Sequence, residues 1–174
     1  MISPKKSLSQ NFLTDHNICK KIIKQTEIKD KIILEIGPGY GILTYSILNQ
    51  NPKKVYVVEK DNNLAIQLKN NFRDQITIFN ENILKFNESC LSKEKITVFG
   101  NLPYNISTEI LIKWIVGINK NCWFNNLILM FQKEVADRII AKFNTSDFGR
   151  LSILSNWKLN IEKICDIKPG SFKP

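Results

Sequence analysis

Two periodicities take turns along the 174-residue chain, one of strands and one of helices. Ile32 to Ile36 is a short apolar run broken only by Glu35, and it reads as a buried strand. Gly37-Pro38-Gly39-Tyr40-Gly41 follows, and then Ile42, Leu43, Ile47 and Leu48 recur at helical spacing. Lys54 to Val58 reads as a second strand and ends at Glu59. Asp61 or Asn62 then stands where a helix cap belongs, ahead of Leu64, Leu68 and Phe72 on one face. Ile76 to Phe79 reads as a third strand leading to Asn80-Glu81-Asn82, and the polar stretch Phe86 to Lys95 as a loop with a short helix. Ile96 to Phe99 is strand-like, with Ser107-Thr108 as a helix cap beyond it. Phe124 to Phe131, nearly all apolar, is expected as a fifth strand buried on both faces. Lys142 to Gly149 reads as a loop, and Arg150 to Leu159 as a returning strand. Near the start, Ile18, Ile22 and Ile23 mark an ordinary amphipathic helix. Strands alternating with helices, without repeats or low-complexity linkers, predict a single α/β domain with a mainly parallel sheet.

The glycine turn narrows the chemistry. Strand, glycine turn and helix form the first unit of a nucleotide-binding α/β fold. The spacing is G-x-G-x-G, whereas the dinucleotide fingerprint is G-x-G-x-x-G, so S-adenosylmethionine fits better than a pyrophosphate. Glu59 lies about 20 residues beyond the turn, the offset from which a carboxylate accepts both ribose hydroxyls. A lone Glu at a strand end is otherwise simply solvated. A side chain from Asn80-Glu81-Asn82 is placed to reach the cofactor's adenine.

Asn101-Leu102-Pro103-Tyr104 stands at the end of another predicted strand. The N6 lone pair of adenine is delocalised into the ring, so that nitrogen is a poor nucleophile. An Asn side-chain oxygen and a backbone carbonyl beside a Pro can accept its two N–H bonds and favour a more tetrahedral nitrogen. A Tyr face can stack on an extruded base. Alone, the tetrapeptide is equally a Pro-containing turn with a buried Tyr.

Composition adds less. The 25 basic and 16 acidic residues leave a net charge of +9, which suits a polyanionic partner, although a general lysine bias produces the same excess. Residues 1–31 carry Lys5, Lys6, Lys20, Lys21, Lys24, Lys29 and Lys31 against Asp15, Glu27 and Asp30, a basic entry segment able to hold RNA phosphates. Cys19, Cys90, Cys122 and Cys165 form no C-x-x-C pair and His16 has no cluster around it, so neither a metal site nor a disulfide framework is indicated. Trp114, Trp123 and Trp157 are expected in the core rather than stacked on RNA. No apolar run approaches about 18 residues and no secretory h-region follows Lys6, so a cytoplasmic protein without a membrane span is expected.

Gln10-Asn11-Phe12-Leu13, Glu35-Ile36-Gly37-Pro38-Gly39, Glu59, Asn101 to Ser107 and Phe131-Gln132-Lys133-Glu134-Val135 occur in that order. As a set they resemble the ribosomal RNA adenine N6,N6-dimethyltransferases, from about Lys5 to the last residue. Leu102 to Ser107, Gln132 to Val135 with Arg138, and Gly149-Arg150-Leu151-Ser152 resemble the small-subunit (KsgA-type) branch. That branch dimethylates two adjacent adenosines near the 3′ end of 16S rRNA. The alternative is the sister group that methylates 23S rRNA and confers macrolide resistance. The resemblance implies a Rossmann-like S-adenosylmethionine-dependent fold and a 16S rRNA substrate within small ribosomal subunit particles. It also implies cofactor binding by Asn11, Leu13, Gly37, Gly39, Glu59, Asn82 and Asn101. Catalysis is implied for Asn101, Leu102, Pro103 and Tyr104.

Three departures accompany the resemblance. Asn82 stands where the family usually has Asp, and an amide oxygen accepts a hydrogen bond without a carboxylate's charge. Ser9 replaces a common Gly before Gln10. The family continues past Pro169 to Pro174 into a further strand and a small helical domain, so residues 1–174 are expected to be the catalytic domain alone, with a gap or a stability cost in the sheet. Two readings from other classes stay open. One is a ribosome-assembly or transcription factor that kept the fold without the reaction, against which Asn101 to Tyr104 argue. The other is a DNA adenine methyltransferase, against which Leu102 and Gln10 to Leu13 argue.

Overall fold

The computed structural model describes residues 10–118 and 122–173, so Lys5, Lys6 and Ser9 lie outside the described residues. A two-residue strand, β1 (Phe12–Leu13), leads into helix α1 (His16–Ile23). Asp15 caps that helix, its Oδ1 accepting from the N–H of Asn17 at 2.9 Å and of Ile18 at 3.3 Å. Then come β2 (Ile32–Ile36), α2 (Ile42–Leu48), β3 (Lys54–Val58), α3 (Asn62–Phe72) and β4 (Thr77–Phe79). The remainder comprises β5 (Ile96–Asn101), α4 (Ser107–Val116), β6 (Phe124–Met130), α5 (Lys133–Ile140), α6 (Arg150–Lys158) and β7 (Phe172–Lys173).

Five strands form one parallel sheet in the order β4-β3-β2-β5-β6. The chain winds outward from β2 to β4, then crosses back to place β5 on the other side of β2. The strand order therefore reverses between β2 and β5, the point at which open α/β sheets hold ligands. Side chains alternate across the sheet, as the twofold strand period requires. Ile33, Val55, Val57 and Phe99 pack with α1 and α2 residues such as Ile22 and Ile47. Leu34, Tyr56, Ile96 and Val98 pack on the other face with Ile110 and Trp114 of α4. β1 and β7 pair antiparallel, Phe12 with Lys173 and Leu13 with Phe172.

Gly41, at the start of α2, has φ of +83°, and a Cβ there would stand 2.5 Å from the Phe72 ring, so only glycine lets α2 and α3 close together. Asp61 caps α3 by accepting from the N–H of Asn63 at 3.0 Å.

Several expectations are corrected. Arg150 to Leu159 is a helix, not a strand. Ser152 and Ser155 are buried and Leu151 and Leu154 are partly buried, which is helical spacing. Ser152 Oγ also accepts from Gly149 N–H at 3.2 Å and donates to the Arg138 carbonyl at 2.6 Å, locking α6 to α5. β6 is not buried on both faces. It lies at the sheet edge and exposes Asn125 and Asn126, with Phe124 and Ile128 buried. Ser107 and Thr108 do not cap α4; Ile106 precedes the helix, and Ser107 Oγ instead donates to the Tyr104 carbonyl at 3.3 Å. Trp114 is in the core and Trp123 packs edge-on against it at 5.8 Å, but Trp157 is 68 % exposed on α6. No helix among the described residues is long and apolar enough to cross a membrane.

Glu35 is the penultimate residue of β2, buried, with its Oε2 accepting from the Thr44 hydroxyl at 2.6 Å. Burial, opposed by that hydrogen bond and reinforced by the nearby Glu59 charge, pushes its carboxyl up to about 7. The folded protein thus holds the proton more tightly than the unfolded chain does. The associated stability is fully present below the ordinary Glu range and is lost as pH rises through about 7. Glu35→Gln should therefore gain stability over wild type by about 2 kcal/mol more at pH 8.5 than at pH 5.5. Urea unfolding of both proteins at the two pH values checks this; a gain independent of pH would contradict it.

Candidate functional site

Ile36 of β2 pairs with Val58 of β3 on one side and Gly100 of β5 on the other. The C-terminal ends of these strands carry Gly37, Glu59 and Asn101, and they open together into a cavity of about 180 Å³. Asn11, Gly37, Gly39, Glu59, Asn82, Asn101, Leu102, Pro103 and Tyr104 all line it. Leu13 does not. Its side chain is buried in the core and borders only a small neighbouring hollow.

Gly39 meets the N-terminal strap of residues 10–14 directly. It has φ of +58°, and a Cβ there would stand 2.6 Å from the Phe12 ring. Phe12 covers the glycine turn and packs on Tyr40 with ring centres 4.3 Å apart. At its far end the strap is fastened to the C-terminal turn, where Thr14 N–H donates to the Ser171 carbonyl at 2.9 Å and Ser171 Oγ to Asp15 at 3.0 Å. At its near end Gln10 Nε2 donates to Asp61 Oδ2 at 3.2 Å.

The central contact is made by Asn101. Its Nδ2 donates to the Asn11 carbonyl at 2.7 Å. A carbonyl can only accept, so the bond fixes which way round the amide lies and leaves Oδ1 as the acceptor available to the cavity. Gly37 N–H is already committed to the Val58 carbonyl at 3.0 Å, which continues the sheet into the turn. Leu102 is 1 % exposed, with its side chain packed beside Gly100. Tyr104 is partly buried, and burial raises its phenol above the ordinary value.

Glu59 is 6 % exposed. Burial raises its carboxyl, while backbone N–H groups of Asp61, Gly39 and Lys60 oppose the shift by favouring the carboxylate. The Asp61 N–H reaches Glu59 Oε1 at 2.8 Å. Asn80 holds the same corner, its Nδ2 donating to the Glu59 carbonyl at 2.8 Å, and thus supports Glu59 rather than reaching the cavity. Asn82 Oδ1 accepts from Leu84 N–H at 3.1 Å, fixing its amide in a tight turn at the cavity edge. Phe12, Lys60, Leu64, Ile83, Leu84 and Ile106 also line the cavity, though none is a candidate site residue of the sequence. Phe12 and Ile106 stand inside the motifs and Leu64 on the inner face of α3; Lys60, Ile83 and Leu84 have no distinctive spacing.

The family model described as ribosomal RNA adenine dimethylase matches residues 1–174. The chain belongs to that family. It is 62% identical over 173 residues to the ribosomal RNA small subunit methyltransferase A of Pelagibacter ubique, covering 99% of this chain and 66% of that protein. The same-named protein of Wolbachia sp. subsp. Drosophila simulans is 43% identical over 178 residues, covering 100% of this chain and 64% of the relative. The chain thus spans about two thirds of the length of these relatives. A dimethyladenosine transferase from Plasmodium falciparum superposes with a TM-score of 0.81 at 29% identity, covering 92% of this chain and 57% of that one. The 23S rRNA methyltransferase ErmE gives 0.65 at 26% identity, covering 83% and 55%. The fold of this family member is the Rossmann-like methyltransferase fold.

Gly39→Ala should strain the turn and drive Phe12 off it, costing about 1–3 kcal/mol and releasing the strap. Urea unfolding together with amide exchange at Phe12 and Leu13 measures both effects. Unchanged exchange there would show that the strap does not depend on Gly39.

Proposed function

We propose that this family member is the cofactor-holding catalytic portion of a small-subunit rRNA adenine N6,N6-dimethyltransferase. In this reading it acts on two adjacent adenosines near the 3′ end of 16S rRNA, with S-adenosylmethionine as methyl donor. The observation that carries the reading is the Asn101 amide, clamped through Nδ2 to Asn11 and offering Oδ1 to a cavity floored by a glycine turn.

The residues present fit the donor. Gly37 and Gly39 give close backbone approach for the methionine portion, Glu59 is held by backbone N–H groups where it can accept ribose hydroxyls, and Asn82 borders the cavity where an adenine ring would lie. Asn11 and Phe12 cover the site, with Leu13 anchoring the strap from the core. When bound, S-adenosylmethionine supplies an already electrophilic methyl group on a positively charged sulfur, so the protein need provide neither nucleophile nor metal. The work left to the chain is orientation, which can contribute several kcal/mol. Asn101 Oδ1 accepts one N6–H of the target adenine, and the carbonyl of Leu102 or Pro103 accepts the other. With both protons held, the nitrogen pyramidalises and its lone pair turns out of the ring. Tyr104 stacks on the base. Transfer would form the N6–C bond as the sulfur–methyl bond breaks, leaving a neutral thioether, and one N6 proton would be released to water; the monomethylated adenine then keeps one N–H for the same acceptors, which permits a second transfer.

The small-subunit reading draws on 62% identity to a small-subunit methyltransferase, against 26% to a 23S enzyme. Methylation of 16S-containing particles, 23S RNA and duplex DNA by the purified protein discriminates these substrates. No transfer to any of them, despite cofactor binding, would favour a non-catalytic assembly factor.

Two variants test the roles. Glu59→Ala should weaken S-adenosylmethionine binding by about 1–3 kcal/mol through lost charged hydrogen bonds; unchanged affinity by calorimetry would remove Glu59 from the site. Asn101→Ala should slow single-turnover transfer by about 100-fold, the scale of one preorganised contact to a transition state, with a much smaller change in cofactor affinity. A near wild-type rate on the same adenine would rule out lone-pair steering by this amide.

A further inference from the structure

The turn that carries Asn82 belongs to no helix or strand. It runs between β4 and the short 3-10 turn Glu88–Cys90, and its own hydrogen bonds are local, from Lys85 and Phe86 N–H to the Asn82 carbonyl. A side chain from across the fold holds it in place. Lys113 Nζ, on α4, donates to the carbonyls of Ile83 at 2.9 Å and Phe86 at 2.6 Å. The same ammonium meets Glu88 Oε1 at 2.9 Å and Oε2 at 3.0 Å. Glu88 is 3 % exposed, and its Oε1 also accepts from Trp114 Nε1 at 2.7 Å.

This is not an ordinary surface ion pair, which holds little in place. The carboxylate is buried and its oxygens are used by Lys113 and Trp114, so it aims the ammonium at two backbone carbonyls. Those carbonyls flank the residues immediately after Asn82. The first residue of the same helix holds the segment after β5, where Ser107 Oγ donates to the Tyr104 carbonyl at 3.3 Å. A single helix thus touches the Asn101–Tyr104 motif at its first residue and the Asn82 turn through Lys113. An ion pair between a buried carboxylate and a partly exposed lysine is also compatible with a purely structural role. What separates the two roles is that Lys113 bonds to the backbone of the turn itself.

We infer that Lys113, aimed by Glu88, is a positioning residue that sets the Asn82 turn against the Asn101–Tyr104 motif and thereby governs recognition of the adenine ring of the methyl donor. This rests on the proposed reading of Asn82 as the residue that meets that ring. Lys113 does not line the cavity. Its effect passes through the Ile83 and Phe86 carbonyls to the Asn82 amide, whose Oδ1 accepts from Leu84 N–H and keeps a second lone pair for the adenine amino group.

The test compares binding of S-adenosylhomocysteine and S-inosylhomocysteine, which carries a carbonyl oxygen in place of the adenine amino group and a proton on N1. The proteins are wild type, Lys113→Met, and the double variant Lys113→Met with Glu88→Gln. The double variant removes both charges together, so no buried charge is left unpaired, and it carries the test alone should the single variant not fold. All titrations are run well below the melting temperatures. Wild type is expected to prefer the adenine ligand by about tenfold, the scale of one hydrogen bond. Both variants should bind S-adenosylhomocysteine about tenfold more weakly and discriminate by no more than about twofold, since the inosine ligand has no amino contact to lose. Variants that melt earlier yet keep the full preference would show a purely structural role and overturn the inference. Equal binding of the two ligands by wild type would overturn it at Asn82. Failure of wild type to bind S-adenosylhomocysteine at all would instead bring down the reading of the cavity, and this inference with it.

Discussion

Ile36 and Gly100 are register partners in adjacent parallel strands, and that pairing fixes how the glycine turn and the Asn101 amide stand relative to each other. β2 then hands the chain to α2 and β5 hands it to α4, so the two strands diverge above their last paired residues. The cavity is the space left by this divergence. Its walls come from these two strand ends, from the end of β3, from the turn after β4 that carries Asn82, and from the N-terminal strap. Parallel pairing supplies the rigidity, because both faces of β2 and β5 are covered and their hydrogen bonds are shielded from water.

The N-terminal strap closes what the sheet leaves open. Phe12 lies over Gly39, the Asn11 carbonyl takes the Asn101 amide, and the segment is fastened at Ser171 and Asp61. One strap therefore covers the glycine turn and also fixes which way round Asn101 lies. The two halves of the proposed reaction, holding the donor and orienting the acceptor nitrogen, share this element. Anything that lifts the strap would disturb both.

Three of the buried carboxyl groups, those of the glutamates, are handled in three ways. Glu35 has one hydroxyl partner and resists ionisation, its carboxyl pushed up to about 7. Glu59 is also raised by burial, but backbone N–H groups press it toward the carboxylate that ribose hydroxyls would need. Glu88 is paired with Lys113 and bonded to Trp114, and serves to place an ammonium. Only the middle one lies on the cavity wall.

Much of this molecule was legible in the residues alone. β2 to β5 and the glycine turn follow from short β-branched runs and from glycines where φ must be positive, because those demands are local. Asn101 to Tyr104, Gly37, Gly39, Glu59 and Asn82 could be named because their spacing from strand ends is itself a structural statement. α6 was misread as a strand because Arg150 to Leu159 has small buried serines on its inner face, and hydrophobicity alone does not mark Ser152 and Ser155 as inward. β6 was assigned too much burial for the opposite reason: an apolar strand reads alike at the centre and at the edge of a sheet. Chain order and local chemistry thus determined the strands, the turn and the residues that carry the site. Only the tertiary structure decided that Leu13 lies in the core while Asn11 and Phe12 face the cavity, that Asn101 bonds to Asn11 across 90 residues, and that Lys113 holds the Asn82 turn from across the fold. Those contacts join segments far apart in sequence, and no local preference of either segment contains them.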